Sequence, residues 1–91
     1  MELDWNPAKA ASNLVKHGID FADAIEVLNS PGDLERADPG ARGEPRFQAI
    51  GAAKGRVLFV SYTMRGEVCR VISVRRASRR ERAAYTLPTG N

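Results

Sequence analysis

Three consecutive strand candidates in the second half of the chain most constrain its fold. They span residues 46–52, 56–63 and 67–75, and the connections between them are short and contain glycine. Short glycine-containing connections are typical of turns between antiparallel strands. The sequence therefore predicts an antiparallel meander. Nearly continuous apolar runs at 57–60 and 71–74 indicate central strands that are covered on both faces over part of their length.

Two helices are predicted before the meander. Asn6 is a candidate N-cap, Pro7 occupies the first helical position and Gly18 is a candidate C-cap, so the first helix is expected to end near residues 16–17. Asp20 is the N-cap candidate of a second helix, which ends near the following Ser-Pro-Gly segment. A last helix is predicted over 79–85.

The capping signal of that last helix is a Ser-x-x-Glu box formed by Ser78 and Glu81. Residues 86–91 are expected to form a frayed tail. With a short strand at 2–5 and a polar strand at 33–37, the order predicts an α+β fold. It has a strand, two helices, a three- or four-stranded antiparallel meander and a C-terminal helix. The 91 residues are expected to form a single domain, 1–91.

Charge is divided by position along the chain. Residues 1–41 carry three Lys/Arg against eight Asp/Glu, whereas residues 42–91 carry eleven Lys/Arg against three Glu. Six of the basic residues fall within 69–85. Separate blocks of opposite charge indicate that the basic half faces a polyanion, either a nucleic acid or an acidic protein.

Several classes of protein are not expected. No apolar run approaches the roughly 20 residues that span a bilayer, and the N-terminus has neither the basic nor the apolar region of a signal peptide. One His and one Cys make an ordinary zinc cluster untenable, and Cys69 is predicted to be a buried small hydrophobe. We therefore expect a soluble cytoplasmic protein without metal, cofactor or membrane contact.

Arginines at the end of the last predicted strand form the strongest candidate site. Regular alternation predicts that Arg75 and Arg76 lie on opposite faces of the sheet. On one face of the sheet, this alternation places the side chains of four residues: Arg70, Ile72, Val74 and Arg76. The second set is expected on the other face: Cys69, Val71, Ser73 and Arg75. Arg79 follows one turn later, and Arg46 is expected to come alongside from the first meander strand. A guanidinium fork suits phosphate, because it stays charged and donates paired hydrogen bonds.

Structural interpretations of these arginines remain open. Arg76, Arg80 and Arg82 are also explained as a solvated helix face. A buried Arg75 or Arg46 needs a partner, which Glu81 or Glu44 could supply.

Two further side chains suit proton transfer but also have structural explanations. The ordinary pKa of histidine, about 6.5, suits His17 for proton transfer, yet its predicted place at a helix C-terminus equally favours a capping role. Tyr62 could stack on a base or donate a proton, or it could be a core tyrosine with a satisfied hydroxyl.

The same residues resemble a known family. The segments WNPAKAASNLVKHGIDFADA, GEPRF, GRVLFVSYT and RVISVRRASRRERAAY are together similar to the BrnT toxins of bacterial type II toxin–antitoxin systems. The resemblance extends from about Glu2 to Tyr85. It implies a compact RelE-like fold, metal-independent ribonuclease activity and neutralisation by a BrnA-type antitoxin. It also implies that this ribbon-helix-helix antitoxin forms a heterotetramer with the toxin, through which operator DNA is bound.

The resemblance also implies site positions. The corresponding basic and polar residues are Lys9, His17, Arg46, Tyr62, Arg65, Arg75, Arg79 and Glu81. Many relatives have a His-Ser pair in the loop before the Gly-Glu-x-Arg segment, where this chain reads DPGARGEPR.

The mechanistic hypothesis is attack of the RNA 2′-OH on the adjacent phosphate. Charge stabilisation is assigned to Arg75 and Arg46, proton transfer to His17 or Tyr62, and orientation of an arginine to Glu81. Four residues are assigned to RNA binding, with Arg79 holding a neighbouring phosphate: Lys9, Arg65, Arg76 and Arg80. The alternative is a non-catalytic module that binds nucleic acid or antitoxin, distinguished by the absence of cleaved RNA ends.

Overall fold

The helices and strands follow one another along the chain in nearly the order that the sequence predicts. A computed structural model describes residues 2–30 and 32–86. In chain order the elements are β1 (Glu2–Trp5), α1 (Pro7–His17), α2 (Asp23–Asn29), β2 (Leu34–Ala37), β3 (Phe47–Ala53), β4 (Arg56–Arg65), β5 (Val68–Arg76) and α3 (Arg79–Thr86). The α+β class and the C-terminal helix are confirmed. The predicted tail, apart from Thr86, lies outside the described residues.

The sheet differs in detail from the predicted meander. Its five strands have the order β1-β5-β4-β3-β2, and β2 to β5 are antiparallel neighbours. β1 joins the edge parallel to β5, with Glu2 opposite Val68 and Trp5 opposite Val71. The sheet is therefore mixed and five-stranded rather than a three- or four-stranded meander. The parallel pairing joins segments more than sixty residues apart, beyond the reach of a local pattern.

Local capping signals place α1 as predicted. The Asn6 side chain accepts hydrogen bonds from the backbone N–H groups of Ala8 and Lys9, at 2.9 and 3.3 Å. At the other end, Gly18 adopts φ 69° and donates its N–H to the Leu14 carbonyl. Both predicted caps are confirmed.

The second helix begins later than predicted. The Asp20 carboxylate accepts from the Ala22 N–H within a turn, and α2 starts at Asp23. Asp23 is buried, and its two carboxylate oxygens pair with Lys54 at 2.8 Å and Arg56 at 3.1 Å. Lys54 lies in the turn between β3 and β4, and Arg56 is the first residue of β4, so the start of α2 is fixed by tertiary contacts rather than by a side-chain cap.

The main core lies between the sheet and the helices α1 and α2. Phe21 is fully buried and meets the partly buried Trp5 edge to face at 6.1 Å between ring centroids, so both rings pack in the core. Cys69 is also buried, as predicted, and burial raises the pKa of its thiol to about 11. We call the side of the sheet that faces α1 and α2 the core face.

A β-bulge interrupts the alternation of side chains along β5. Ser61 of β4 pairs with Ser73, but the next residue, Tyr62, pairs with Val71, so Ile72 is an extra residue on β5. Val71 and the later Val74 are consequently both buried in the same core cluster. The prediction that these two valines lie on opposite faces is wrong, because it assumed an uninterrupted strand.

Candidate functional site

The side of the sheet opposite α1 and α2, here the outer face, carries arginines near both ends of β5. The pairings of Phe59 with Arg75 and of Thr63 with Arg70 place these side chains on that face. A regular strand would turn residues five apart to opposite sides. The bulge at Ile72 changes the phase, so both arginines share the outer face.

Arg75 is held from two directions. Its guanidinium donates two hydrogen bonds to the Glu81 carboxylate, at 2.8 and 2.9 Å, in a bidentate arrangement. Beneath it, the Phe59 ring centroid lies 4.1 Å from Cζ, within the range of a cation–π contact. A further bond reaches the Arg76 carbonyl at 3.1 Å. Arg75 thus presents a fixed guanidinium plane whose side chain is 37% exposed.

Glu81 is positioned by the first turn of α3. The Ser78 N–H donates to the Glu81 carboxylate at 2.7 Å, and the Glu81 N–H donates to Ser78 Oγ at 3.2 Å, which confirms the predicted capping box. The hydrogen bonds from Arg75 are the main reason that the pKa of Glu81 falls to about 2. The same pair raises the pKa of Arg75. Both groups therefore remain charged at neutral pH.

A cleft of about 460 Å³ lies beside this pair, between α3 and the sheet. Its floor is largely apolar and includes Leu34, Ile50 and Phe59, while Arg36 and Arg80 contribute cationic groups. We call it the α3 cleft. Arg80 lines this cleft beside Glu81, and its side chain is exposed, so the solvated-face interpretation stays open.

A second, more polar cleft of about 270 Å³ lies near the opposite end of β5. Four cationic side chains line it, and we call it the basic cleft: Lys9, Arg46, Arg65 and Arg70. Arg65 pairs with Glu44 and Arg70 with Asp4, each at 3.3 Å. Lys9 enters from the first turns of α1, next to the cap residue Asn6, which also lines the cleft.

The structure separates Arg46 from Arg75. Arg46 precedes Phe47, which pairs with Tyr62, whereas Arg75 lies at the level of Ile50. Four residues of strand separate the two levels, about 13 Å at 3.3 Å per residue. The expected arginine cluster is thus divided, with Arg46 in the basic cleft and Arg75 beside α3.

Tyr62 lies on the core face and not with Arg75. Its side chain is buried and stacks on Phe47 at 5.6 Å, and its hydroxyl donates to the Glu35 carboxylate. Burial, with the bond to Glu35 as the next cause, raises the pKa of Tyr62 well above its usual range. These contacts correspond to the structural alternative, a core tyrosine with a satisfied hydroxyl.

His17 ends α1 and is exposed. Because Lys9 lines the basic cleft and Asn13 bonds to Val74, α1 runs beside β5 in the same direction. His17 therefore lies toward the Arg76 end of β5. Arg76 and Arg79 are exposed there as well.

Two residues of this region were missed by the sequence analysis as site residues. Arg70 has the charge but stands alone in an apolar strand, and Phe59 is one apolar residue among several in β4. Their roles depend on strand pairing, since Arg70 faces Thr63 and Phe59 faces Arg75. The basic composition of 69–85 is the sequence signal that could have included Arg70.

The fold and site together define a small α+β protein with arginines grouped on one face of its sheet. Among the described residues, no helix is long and apolar enough to cross a membrane. The family model for the ribonuclease toxin BrnT of type II toxin–antitoxin systems matches residues 5–81. The chain belongs to this family of ribonuclease toxins, which confirms the resemblance read from the sequence. Membership implies an antitoxin protein as partner. No curated protein matches the chain.

Proposed function

We propose that the chain is a metal-independent endoribonuclease toxin that cuts RNA and thereby inhibits translation and growth. The observation that carries the proposal is the fixed guanidinium of Arg75, bound by Glu81 and supported by Phe59 on a basic outer face. A fixed cation needs no reorganisation when negative charge develops on a phosphate. A mobile surface arginine would have to reorient before it could stabilise that charge.

The reaction starts with the RNA itself. The 2′-OH loses its proton and its oxygen attacks the adjacent phosphorus, while the 5′-oxygen leaves and takes up a proton, producing a 2′,3′-cyclic phosphate. Arg75 stabilises the charge gained by the phosphate oxygens, and Arg79 holds a neighbouring phosphate. Glu81 acts as a positioning residue because it orients Arg75.

Proton transfer is assigned to His17, which is exposed toward the same end of β5. Tyr62 is the less suitable of the two original candidates, because its hydroxyl is buried and donates to Glu35. The distance of Arg46 from Arg75 favours a binding role for Arg46 over the original role in charge stabilisation. Lys9 and Arg65 bind RNA beside it, and Arg76 and Arg80 bind RNA near α3.

The proposed partner is a BrnA-type ribbon-helix-helix antitoxin encoded beside the toxin. Together they form a heterotetramer, in which the antitoxin covers the basic face and contacts operator DNA. An RNA substrate and such a partner place the toxin in the cytoplasm. The family to which the chain belongs supports this assignment.

The decisive experiment incubates purified, antitoxin-free protein with total RNA in EDTA. We compare wild type with R75A and with R75K, which keeps the charge but loses the bidentate fork. We expect cleavage by wild type, a loss of about 100-fold or more in R75A, and intermediate activity in R75K. Circular dichroism checks that each variant is folded.

Full activity of folded R75A would overturn the assignment of Arg75. Intact RNA with wild type, combined with salt-sensitive RNA binding, would support the non-catalytic module instead. Growth inhibition on expression, relieved by the adjacent antitoxin, tests the toxin role independently of the RNA assay.

A further inference from the structure

We propose that the outer face binds one single-stranded RNA segment of about four to five nucleotides, held at one end by the basic cleft and at the other by Arg75. The inference rests on the proposed function in that this strand is the substrate. It adds a second phosphate site, which includes Arg70, and a defined footprint.

The basic cleft has the chemistry of a phosphate site. Its four cations line a polar space of about 270 Å³, and within residues 2–30 and 32–86 two carboxylates, Glu44 and Asp4, pair with them. Both pairs are solvent-exposed at 3.3 Å, a class of ion pair that contributes little and exchanges readily. Lys9 and Arg46 form no ion pair with any residue in 2–30 or 32–86, so a backbone phosphate adds charge compensation that these two cations lack.

The first turn of α1 adds to this potential. The N-cap Asn6 and Lys9 of α1 both line the cleft. The positive end of the helix dipole therefore points toward it, which favours an anion.

The separation of the two ends sets the footprint. Arg70 and Arg75 lie on the same face of β5, five residues apart with one residue taken up by the bulge at Ile72. At 3.3 Å per residue this is about 13 to 16 Å. A stacked strand advances about 3.4 Å per nucleotide, so the span corresponds to about four to five nucleotides.

The surface between the ends suits a single strand. Between the two ends, three side chains are half-buried and therefore accessible to bases: Ser61, Ile72 and Ser73. At one end, Phe59 supports one face of the Arg75 guanidinium, which leaves the opposite face for stacking on a base. The terminal base of a stacked single strand has a free face for such a contact, whereas paired bases in an A-form duplex are enclosed within the helix and present a groove instead.

The experiment measures binding without cleavage. Fluorescently labelled 2′-O-methyl RNA of three, six and nine nucleotides cannot supply the attacking hydroxyl, and fluorescence anisotropy gives each Kd at fixed salt. We expect the six-nucleotide strand to bind at least tenfold more tightly than the three-nucleotide strand, with little further gain at nine. A duplex of the nine-nucleotide strand should bind more weakly than the single strand.

The variants R70Q and R46Q test the second site. Each should reduce the affinity for six nucleotides toward the value for three nucleotides. The matched control is R42Q, which removes the same charge from an exposed loop residue outside both cleft linings. Equal weakening by R42Q would indicate diffuse attraction and overturn the proposal. So would affinity independent of length, or preference for the duplex.

The results distinguish a failure of the proposed binding surface from a failure of the proposed nuclease activity. In one result, wild type fails to cut total RNA and yet binds six nucleotides more tightly than three, with this gain lost in R70Q. That result would support the proposed binding surface and contradict the catalytic assignment. If RNA is cut but the affinity does not increase from three to six nucleotides, the catalytic assignment is supported. The proposed binding surface between the basic cleft and Arg75 is then contradicted.

Discussion

The side-chain amide of Asn13 completes the hydrogen bonding of Val74, the buried residue of β5 that lies beyond the last β1 pair. Asn13 Nδ2 donates to the Val74 carbonyl at 2.7 Å, and the Val74 N–H donates to Asn13 Oδ1 at 3.3 Å. A third bond runs from Nδ2 to the Ile19 carbonyl at 3.1 Å. Because β1 pairs with β5 only as far as Val71, the amide of Asn13 takes the place of a neighbouring strand.

Replacement of Asn13 by Ala should therefore destabilise the fold strongly. It leaves buried backbone groups of Val74 and Ile19 without partners, and we expect a loss of about 2 to 3 kcal/mol in the free energy of unfolding. Urea denaturation measures it, with the exposed Ser12→Ala as the control. Equal stability of the two variants would contradict this role.

The Arg75–Glu81 pair should make stability depend on pH in the acid range. The pKa of Glu81 is lowered to about 2 in the folded protein from its usual 4.5. The unfolded state then binds the proton more tightly, so the contribution is complete above pH 4.5 and is lost as the pH falls toward 2. After allowance for the partial exposure of the pair, its contribution to the free energy of unfolding is about 1 to 2 kcal/mol. Urea denaturation of E81Q at pH 7 and at pH 3 should show a deficit that narrows in acid.

A matched control for this effect is E67Q, since Glu67 is an exposed carboxylate at the turn before β5. The E67Q variant should follow the wild type at both pH values. A deficit in E81Q that is the same at pH 7 and pH 3 would argue against an ionic contribution.

The packing of α2 on β3 requires a glycine at position 51. A Cβ there would lie 2.8 Å from the Val27 carbonyl oxygen and 3.1 Å from Val27 Cγ1. The helix would have to move away from the sheet, so G51A should lower the free energy of unfolding by about 1 to 3 kcal/mol. Thermal denaturation measures this against G40A, whose new Cβ meets its nearest neighbour at 3.5 Å. A G51A variant as stable as G40A would refute the close contact.

Asp33 should show the opposite pH dependence from Glu81. Burial, followed by the negative charge of Glu35, raises the pKa of Asp33 above its usual 3.8. The folded state binds the proton more tightly, so this group lowers stability as the pH rises past 3.8. D33N should be more stable than wild type at pH 7 and lose that advantage below pH 4. Denaturation midpoints at the two pH values test it, and a less stable D33N at pH 7 would contradict it.

The sequence predicts the features whose signals lie within a few residues of one another. The cap at Asn6, the capping box of Ser78 and Glu81, and the two tight turns of the meander all belong to this group. The burial of Cys69 follows from its apolar surroundings in the sequence. The family resemblance added the functional class.

The remaining features depend on pairing between distant segments. Asn13 and Val74 are 61 residues apart, and no local pattern connects them. The division of Arg46 from Arg75 follows from the register of three strands, which a list of strand candidates does not specify. The bulge at Ile72 leaves no trace in composition, although it decides which side chains share a face.

That bulge gives this stretch different tolerances to substitution and to changes in length. Replacing Ile72 by another residue keeps the count of residues between Arg70 and Arg75, and so keeps both arginines on one face. Deleting Ile72 would remove the bulge and leave Arg70 and Arg75 four residues apart, so strict alternation would still place both on the outer face if β5 keeps its other pairs. Deleting a second residue would leave them three apart and turn one of the two toward the core. The spacing of the chain at this point therefore carries as much functional information as the identity of any one side chain.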